Sequence, residues 1–181
     1  MSHIEAYTEI AGGAGGAGGA GSREIPVVPV LFVENLSGLI NELQNLIEAI
    51  KHVDSDEQIR LLKEVEILKD ELIEKALSIA PHAVDVPENF LRYMSCLSVI
   101  NNERSYLTEK QYELKNLRYL AEIASIDSER TEVGAMQAVE ALKKLDFPKK
   151  EIERVSDNLE KYNLVLMRLR EIFIEELIAK S

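Results

Sequence analysis

Seven of the nine glycines in this 181-residue chain lie between Gly12 and Gly21, in the run GGAGGAGGAG. Beyond residue 22 only Gly38 and Gly134 remain, with prolines at Pro26, Pro29, Pro81, Pro87 and Pro148. Glycine and proline are the residues that most oppose a helix interior, so the rest of the chain can extend helices with few interruptions. It is rich in Leu, Ile, Glu, Lys and Ala, which are mostly good helix formers, and few segments alternate apolar with polar. The expected fold class is all-α. The arrangement expected is an antiparallel bundle of about five helices, preceded by a tethered peptide and an extended, Pro-containing strap.

The Gly-Gly-Ala run divides the chain. It is too regular and too flexible for a folded element, and it reads as an engineered linker over residues 12–22. Ahead of it, residues 1–11 read as a short linear peptide ligand fused from a partner protein. Behind it, residues 23–181 read as the helical domain. In the peptide, Ile4, Tyr7 and Ile10 stand at i, i+3 and i+6. That spacing suits the apolar face of a helix laid in a groove, and the three residues are the expected peptide anchors. An extended peptide would instead put Ile4, Ala6, Thr8 and Ile10 on one side. A ten-residue linker spans roughly 17 Å r.m.s. and no more than about 36 Å. At that length the effective ligand concentration is on the order of millimolar, enough to saturate a site of micromolar affinity.

The formal charge is −11. Glu5 and Glu9 precede the linker, which leaves −9 on the domain. That balance argues against nucleic acid as a partner, since phosphate binding draws on clustered cations. It equally disfavours an anionic membrane surface. No apolar stretch approaches the roughly 18 residues of a membrane span, and no signal-peptide pattern is present. Cys96 is the single cysteine, which fits a reducing compartment. An intracellular location is expected, with cytoplasm and nucleus both open.

Within the domain, residues 23–31 hold two prolines in a β-branched run and should be an extended strap packed on the bundle. A first helix is expected from about Glu34 to Val53, with Leu36, Leu39, Ile40, Leu43, Leu46, Ile47 and Ile50 on one face. Ser55-Asp56-Glu57-Gln58 reads as a capping box opening a second helix that Pro81 stops. Pro87 suits the first turn of a third helix. Its face of Phe90, Leu91, Met94, Leu97 and Ile100 either continues through Leu107, Leu114, Leu117 and Ala121 or breaks near Asn102, and a break is favoured. Asp127 or Ser128 should cap a fourth helix buried through Val133, Met136, Ala138, Val139, Leu142 and Leu145. Asp146-Phe147-Pro148 reads as a helix junction with Phe147 tucked inward. The last helix runs from about Pro148 to Ala179, and its apolar stripe widens around Leu164–Met167 and Ile172–Ile174. So wide a stripe should be buried on two sides, at the centre of the bundle or against a second chain.

Nothing in the domain suggests catalysis. A di-iron bundle needs Glu-x-x-His pairs, and none of His3, His52 and His82 has a glutamate three residues before it. Zinc fares no better with one cysteine, and no Gly-rich loop leads into a helix with the Lys of a phosphate cradle. No catalytic, cofactor or metal residues are therefore expected, and no cofactor.

A peptide groove is expected on two surfaces. Tyr112 and Tyr119 share a second face of the third helix at heptad spacing, with Tyr106 nearby, and tyrosine recurs at interfaces. Met167 and Ile174, seven apart on the last helix, form another wall. The leading expectation is a non-catalytic interaction domain, an adaptor or complex subunit, that binds a short peptide motif. The alternatives are a homo-oligomeric scaffold using the last helix's wide stripe, and a small helical-bundle enzyme.

Overall fold

The computed structural model describes residues 28–180. Residues 1–27, which hold the peptide anchors Ile4, Tyr7 and Ile10, the linker and most of the strap, lie outside the described residues. Every regular element described is helical, so the chain is all-α. The elements are α1 (Phe32–Ile50), α2 (Ser55–Ile79), a 3-10 turn (Ala80–His82), α3 (Glu88–Ser128), α4 (Glu132–Lys143) and α5 (Asp146–Lys180).

Three of the helix starts, those of α1, α2 and α4, have a side-chain acceptor. α1 has no side-chain cap of its own; the Asp85 carboxylate, 53 residues away, accepts from Phe32 N–H at 2.7 Å. The α2 cap is Asp54 rather than Ser55, its carboxylate accepting from Glu57 N–H at 3.0 Å. Gln58 turns back to donate to the Ile50 carbonyl at 3.1 Å, joining the end of α1 to the start of α2. Thr131, not Asp127 or Ser128, caps α4 by accepting from Gly134 N–H at 3.0 Å. Of the strap, Val30 bridges Ala83 and is half-buried, whereas Val28 is 81% exposed.

α3 is one helix of 41 residues, about 61 Å long. The break expected near Asn102 does not occur. Asn101 and Asn102 are both exposed, and they cost a helix interior only a fraction of a kcal/mol each. Directly before them Ile100 is fully buried with Val155 and Leu159 of α5. That tertiary contact outweighs the weak local preference.

The main core gathers α1, α2, the first turns of α3 and the end of α5. Its centre is aromatic: Phe90 lies 5.1 Å from Phe32, 4.6 Å from Phe173 and 5.7 Å from Tyr93, ring centre to ring centre. Along α3 and α5 the joined residues rise on one helix as they fall on the other: Asn89 with Glu176, Cys96 with Tyr162, Tyr106 with Glu151. Ion pairs tie α2 to α5, Lys69 to Glu171 at 2.9 Å and Arg170 to Asp70 at 2.8 Å.

Past Leu114 the molecule thins. α4 packs back on the end of α3 with few contacts elsewhere. It turns a small-residue stripe inward, Gly134 buried and Ala138 and Ala141 half-buried. Val133, Met136, Val139 and Leu142, expected in the core, are instead 52 to 72% exposed. Large side chains on that stripe would hold the two helices apart, so the small residues face α3 and the large ones face out. Phe147 is likewise turned out, 62% exposed, with Lys110 Nζ 5.7 Å from its ring centre.

Candidate functional site

The tyrosines expected to form one surface divide into two environments. Tyr106 is half-buried between α3 and α5, where its hydroxyl donates to Glu151 Oε2 at 2.8 Å. Arg154 donates twice to the same carboxylate, at 2.9 and 3.1 Å. Those Arg154 hydrogen bonds, then the Tyr106 hydroxyl, hold the Glu151 carboxyl down at about 2. Lys110 Nζ sits 5.4 Å above the Tyr106 ring. Tyr106 is therefore a clamp between helices rather than a ring free to meet a ligand.

This clamp has a pH signature. A carboxylate whose folded pKa is depressed contributes stability above its unfolded value, and that contribution is lost as pH falls through the folded value. The Tyr106 ring resonances, followed by NMR on lowering the pH, should move with a midpoint near 2. A midpoint in the ordinary carboxylate range, near 4.5, would show that the clamp does not form.

Tyr112 and Tyr119 are different. They are 67 and 64% exposed, so their rings cover little of the bundle. Tyr119 borders an open cleft of about 570 Å3 between α3 and α5, with Leu114, Lys115, Arg118, Glu122 and Ile152. A smaller cleft between α3 and α4 is lined in part by Leu117, Leu120 and Ala141.

The second expected wall also separates. Met167 is 64% exposed, whereas Ile174 is 1% exposed and belongs to the main core with Phe173 and Leu177. Seven residues bring the α-helix round by nearly two turns, but α5 enters the main core between them, just past its Arg170 and Glu171 ion pairs to α2. Met167 finds its exposed neighbour one turn away in Leu164, also 64% exposed. Lys161 and Arg168, both exposed, flank Leu164 at i−3 and i+4. These cations were not among the expected groove residues; their spacing from Leu164 in the sequence is the signal that would have found them.

Cys96 is half-buried with Sγ 3.6 Å from the Tyr162 carbonyl oxygen, and burial pushes its thiol up, away from the reactive thiolate. Among the described residues no group of three or more His, Cys, Asp or Glu side chains is placed to hold a metal ion. Among them, too, no helix is long and apolar enough to cross a membrane. No family model matches the chain, and no curated protein or solved structure matches it either.

Proposed function

We propose that residues 23–181 are an antiparallel bundle of five helices that docks a short linear motif, as an intracellular adaptor or complex subunit without catalysis of its own. Residues 1–11 supply that motif in cis, through the linker of residues 12–22. The observation that carries this reading is the uncovered apolar turn of Leu164 and Met167 on α5, beside two exposed cations. Ile4, Tyr7 and Ile10 offer matching apolar anchors, and Glu5 and Glu9 offer charges opposite to Lys161 and Arg168.

Reach favours the same face. Val30 bridges Ala83, so the described chain starts beside the beginning of α3. A Gly-rich stretch from Ala11 to Val28 spans about 23 Å r.m.s. and at most about 60 Å. Leu164 and Met167 lie between Tyr162, which meets Cys96, and Glu176, which meets Asn89. They are thus within about 12 Å of the start of α3 along its axis. Tyr119 lies about 46 Å along that axis, twice the r.m.s. span of the tether. A peptide held in cis therefore meets the α5 turn far more often than the Tyr112–Tyr119 face.

Two substitutions in the full chain test this. Tyr7→Ala should lower Tm by about 2–4 °C, the effect of losing one interface anchor of about 1 kcal/mol in a chain this size. Met167→Glu should do the same, because it sets a carboxylate against Glu5 and Glu9. Combined, the two should cost little more than the larger alone, since both remove one contact. An unchanged Tm in Tyr7→Ala, or strictly additive losses, would sink the reading.

A further inference from the structure

The far half of α3 carries a second apolar feature, out of comfortable reach of the tethered peptide and independent of the reading above. Tyr112, Asn116, Tyr119, Ile123 and Ile126 follow one another at steps of 4, 3, 4 and 3 residues. That alternation is the a/d pattern of a coiled-coil seam. On it Tyr112, Tyr119, Ile123 and Ile126 are 67, 64, 42 and 63% exposed, and Asn116 is exposed too. Leu114 and Ala121, buried at 8 and 6%, mark the opposite side of the helix, where the rest of the molecule packs. α3 has thus used one face for its own fold, and the described residues leave a heptad seam exposed on the other, Tyr119 lying at the border of the α3–α5 cleft.

We propose that this seam pairs with the same seam of a second copy of the chain, the two α3 helices running antiparallel. The choice of occupant and of direction comes from the flanking charges. With Asn116 and Ile123 at a, the g positions are Lys115 and Glu122, and the e positions are Glu113, Leu120 and Asp127. In an antiparallel pair g faces g. The register that layers Tyr112 on the partner's Ile123, and Asn116 on the partner's Tyr119, then sets Lys115 against the partner's Glu122. Twofold symmetry repeats that opposite-charge pair, and e positions meet as Glu113 with the partner's Leu120, with no like charges opposed. A parallel pair would instead put Glu122 against the partner's Asp127 twice, and leave Lys115 facing the partner's Leu120. Self-complementarity of this kind is what a twofold interface requires. The polar Asn116 at an a position helps fix the register.

The seam spans about two heptads, so the buried area falls at the small end for specific interfaces and the dimer is a weak one, forming at tens to hundreds of micromolar. Sedimentation equilibrium of the full chain up to about 1 mM should show the weight-average mass rising from 20.4 kDa towards twice that value. Tyr119→Lys, at an exposed position, should hold the mass at the monomer value while leaving Tm within about 1 °C. Lys115→Glu alone should weaken association about tenfold, as should Glu122→Lys alone. An equimolar mixture of these two variants should recover wild-type association or better, because each then meets its opposite on the other chain. A wild-type chain still monomeric at 1 mM would overturn the proposal and leave the seam to a different protein. Association lost in Tyr7→Ala would overturn it in favour of residues 1–11 binding in trans. If Glu122→Lys alone strengthens association, the helices run parallel and the antiparallel assignment is wrong.

Discussion

Phe90→Ala should destabilise the fold by about 4 kcal/mol, the middle of the range for deleting a buried phenylalanine ring. For a chain of this size that is about 8–16 °C in Tm. Phe90 is fully buried and touches three other rings, Phe32, Phe173 and Tyr93. Two of those rings, Phe32 and Phe173, come from segments held independently of α3. Phe32 is fixed by the Asp85 carboxylate on its own N–H, and Phe173 by the ion pairs that bind its helix to α2. The walls of the resulting cavity therefore cannot close on it, and the loss should approach the full transfer and cavity cost. Urea unfolding should show the midpoint falling with the slope unchanged. Leu62→Ala, at a position 52% exposed, should cost under about 0.5 kcal/mol in the same assay. A Phe90→Ala loss below about 1 kcal/mol would mean that the aromatic cluster does not organise the core.

That contrast between Phe90 and Leu62 shows how far the sequence could be read. The all-α class followed from where glycine and proline are not, and the 3-4 spacing of Leu36, Ile40 and Leu43 marked the inner face of α1 correctly. α2 was harder, because it is apolar on more than one side. Leu61, Val65, Leu68, Leu72 and Ala76 are the buried row, while Ile59, Leu62 and Ile67 face out. Periodicity cannot choose between two overlapping apolar rows; contact with α1 and α5 chooses.

α4 failed for a sharper reason. The expected row of Val133, Met136, Ala138, Val139, Leu142 and Leu145 mixes two sides: close helix approach selects Gly134, Ala138 and Ala141, Leu145 is buried, and the other four face out. The same lesson applies to α3. Its Tyr112 and Tyr119 share a second face in the sequence, but Asn116, Ile123 and Ile126 do not stand out there, because the stripe through Leu114 and Ala121 already accounts for the core. Only once Leu114 and Ala121 prove buried does the opposite row emerge as a seam that the described residues leave exposed. The widening of the α5 stripe around Leu164–Met167 reads as burial on two sides, whereas Leu164 and Met167 are each 64% exposed. The flanking cations stand at i−3 and i+4 from Leu164, a spacing legible in the sequence, and the glutamates of residues 1–11 offer the opposite charge.

Gly134→Val should detach α4 from α3 at a cost of about 2–3 kcal/mol, within the range for forcing bulk into a tight contact. A Cβ at Gly134 would lie 2.5 Å from the Asp127 carbonyl oxygen and 2.8 Å from its carbonyl carbon, both backbone atoms that cannot swing aside. Any L side chain must push the end of α3 and the start of α4 apart, and valine adds two more heavy atoms at the same place. The gain in helix propensity over glycine, about 0.5 kcal/mol, offsets only a small part. Separation there also strains the Thr131 cap, whose hydroxyl would lie 3.1 Å from the new Cβ while accepting from residue 134 N–H.

Because α4 packs chiefly on α3, the damage should stay local. Hydrogen exchange should accelerate by about 30- to 150-fold across Glu132–Lys143, the factor that 2–3 kcal/mol implies for local opening. Protection around Phe32, Phe90 and Phe173 should be unchanged. Uniform loss of protection in both regions would show that α4 and the main core unfold as one unit, and unaltered exchange in α4 would show that the close approach at Gly134 does not hold the hairpin. The local outcome would make α3 a helix with two separable duties. Its first half is fixed by the aromatic core, and its second half depends on one glycine to keep α4 against it.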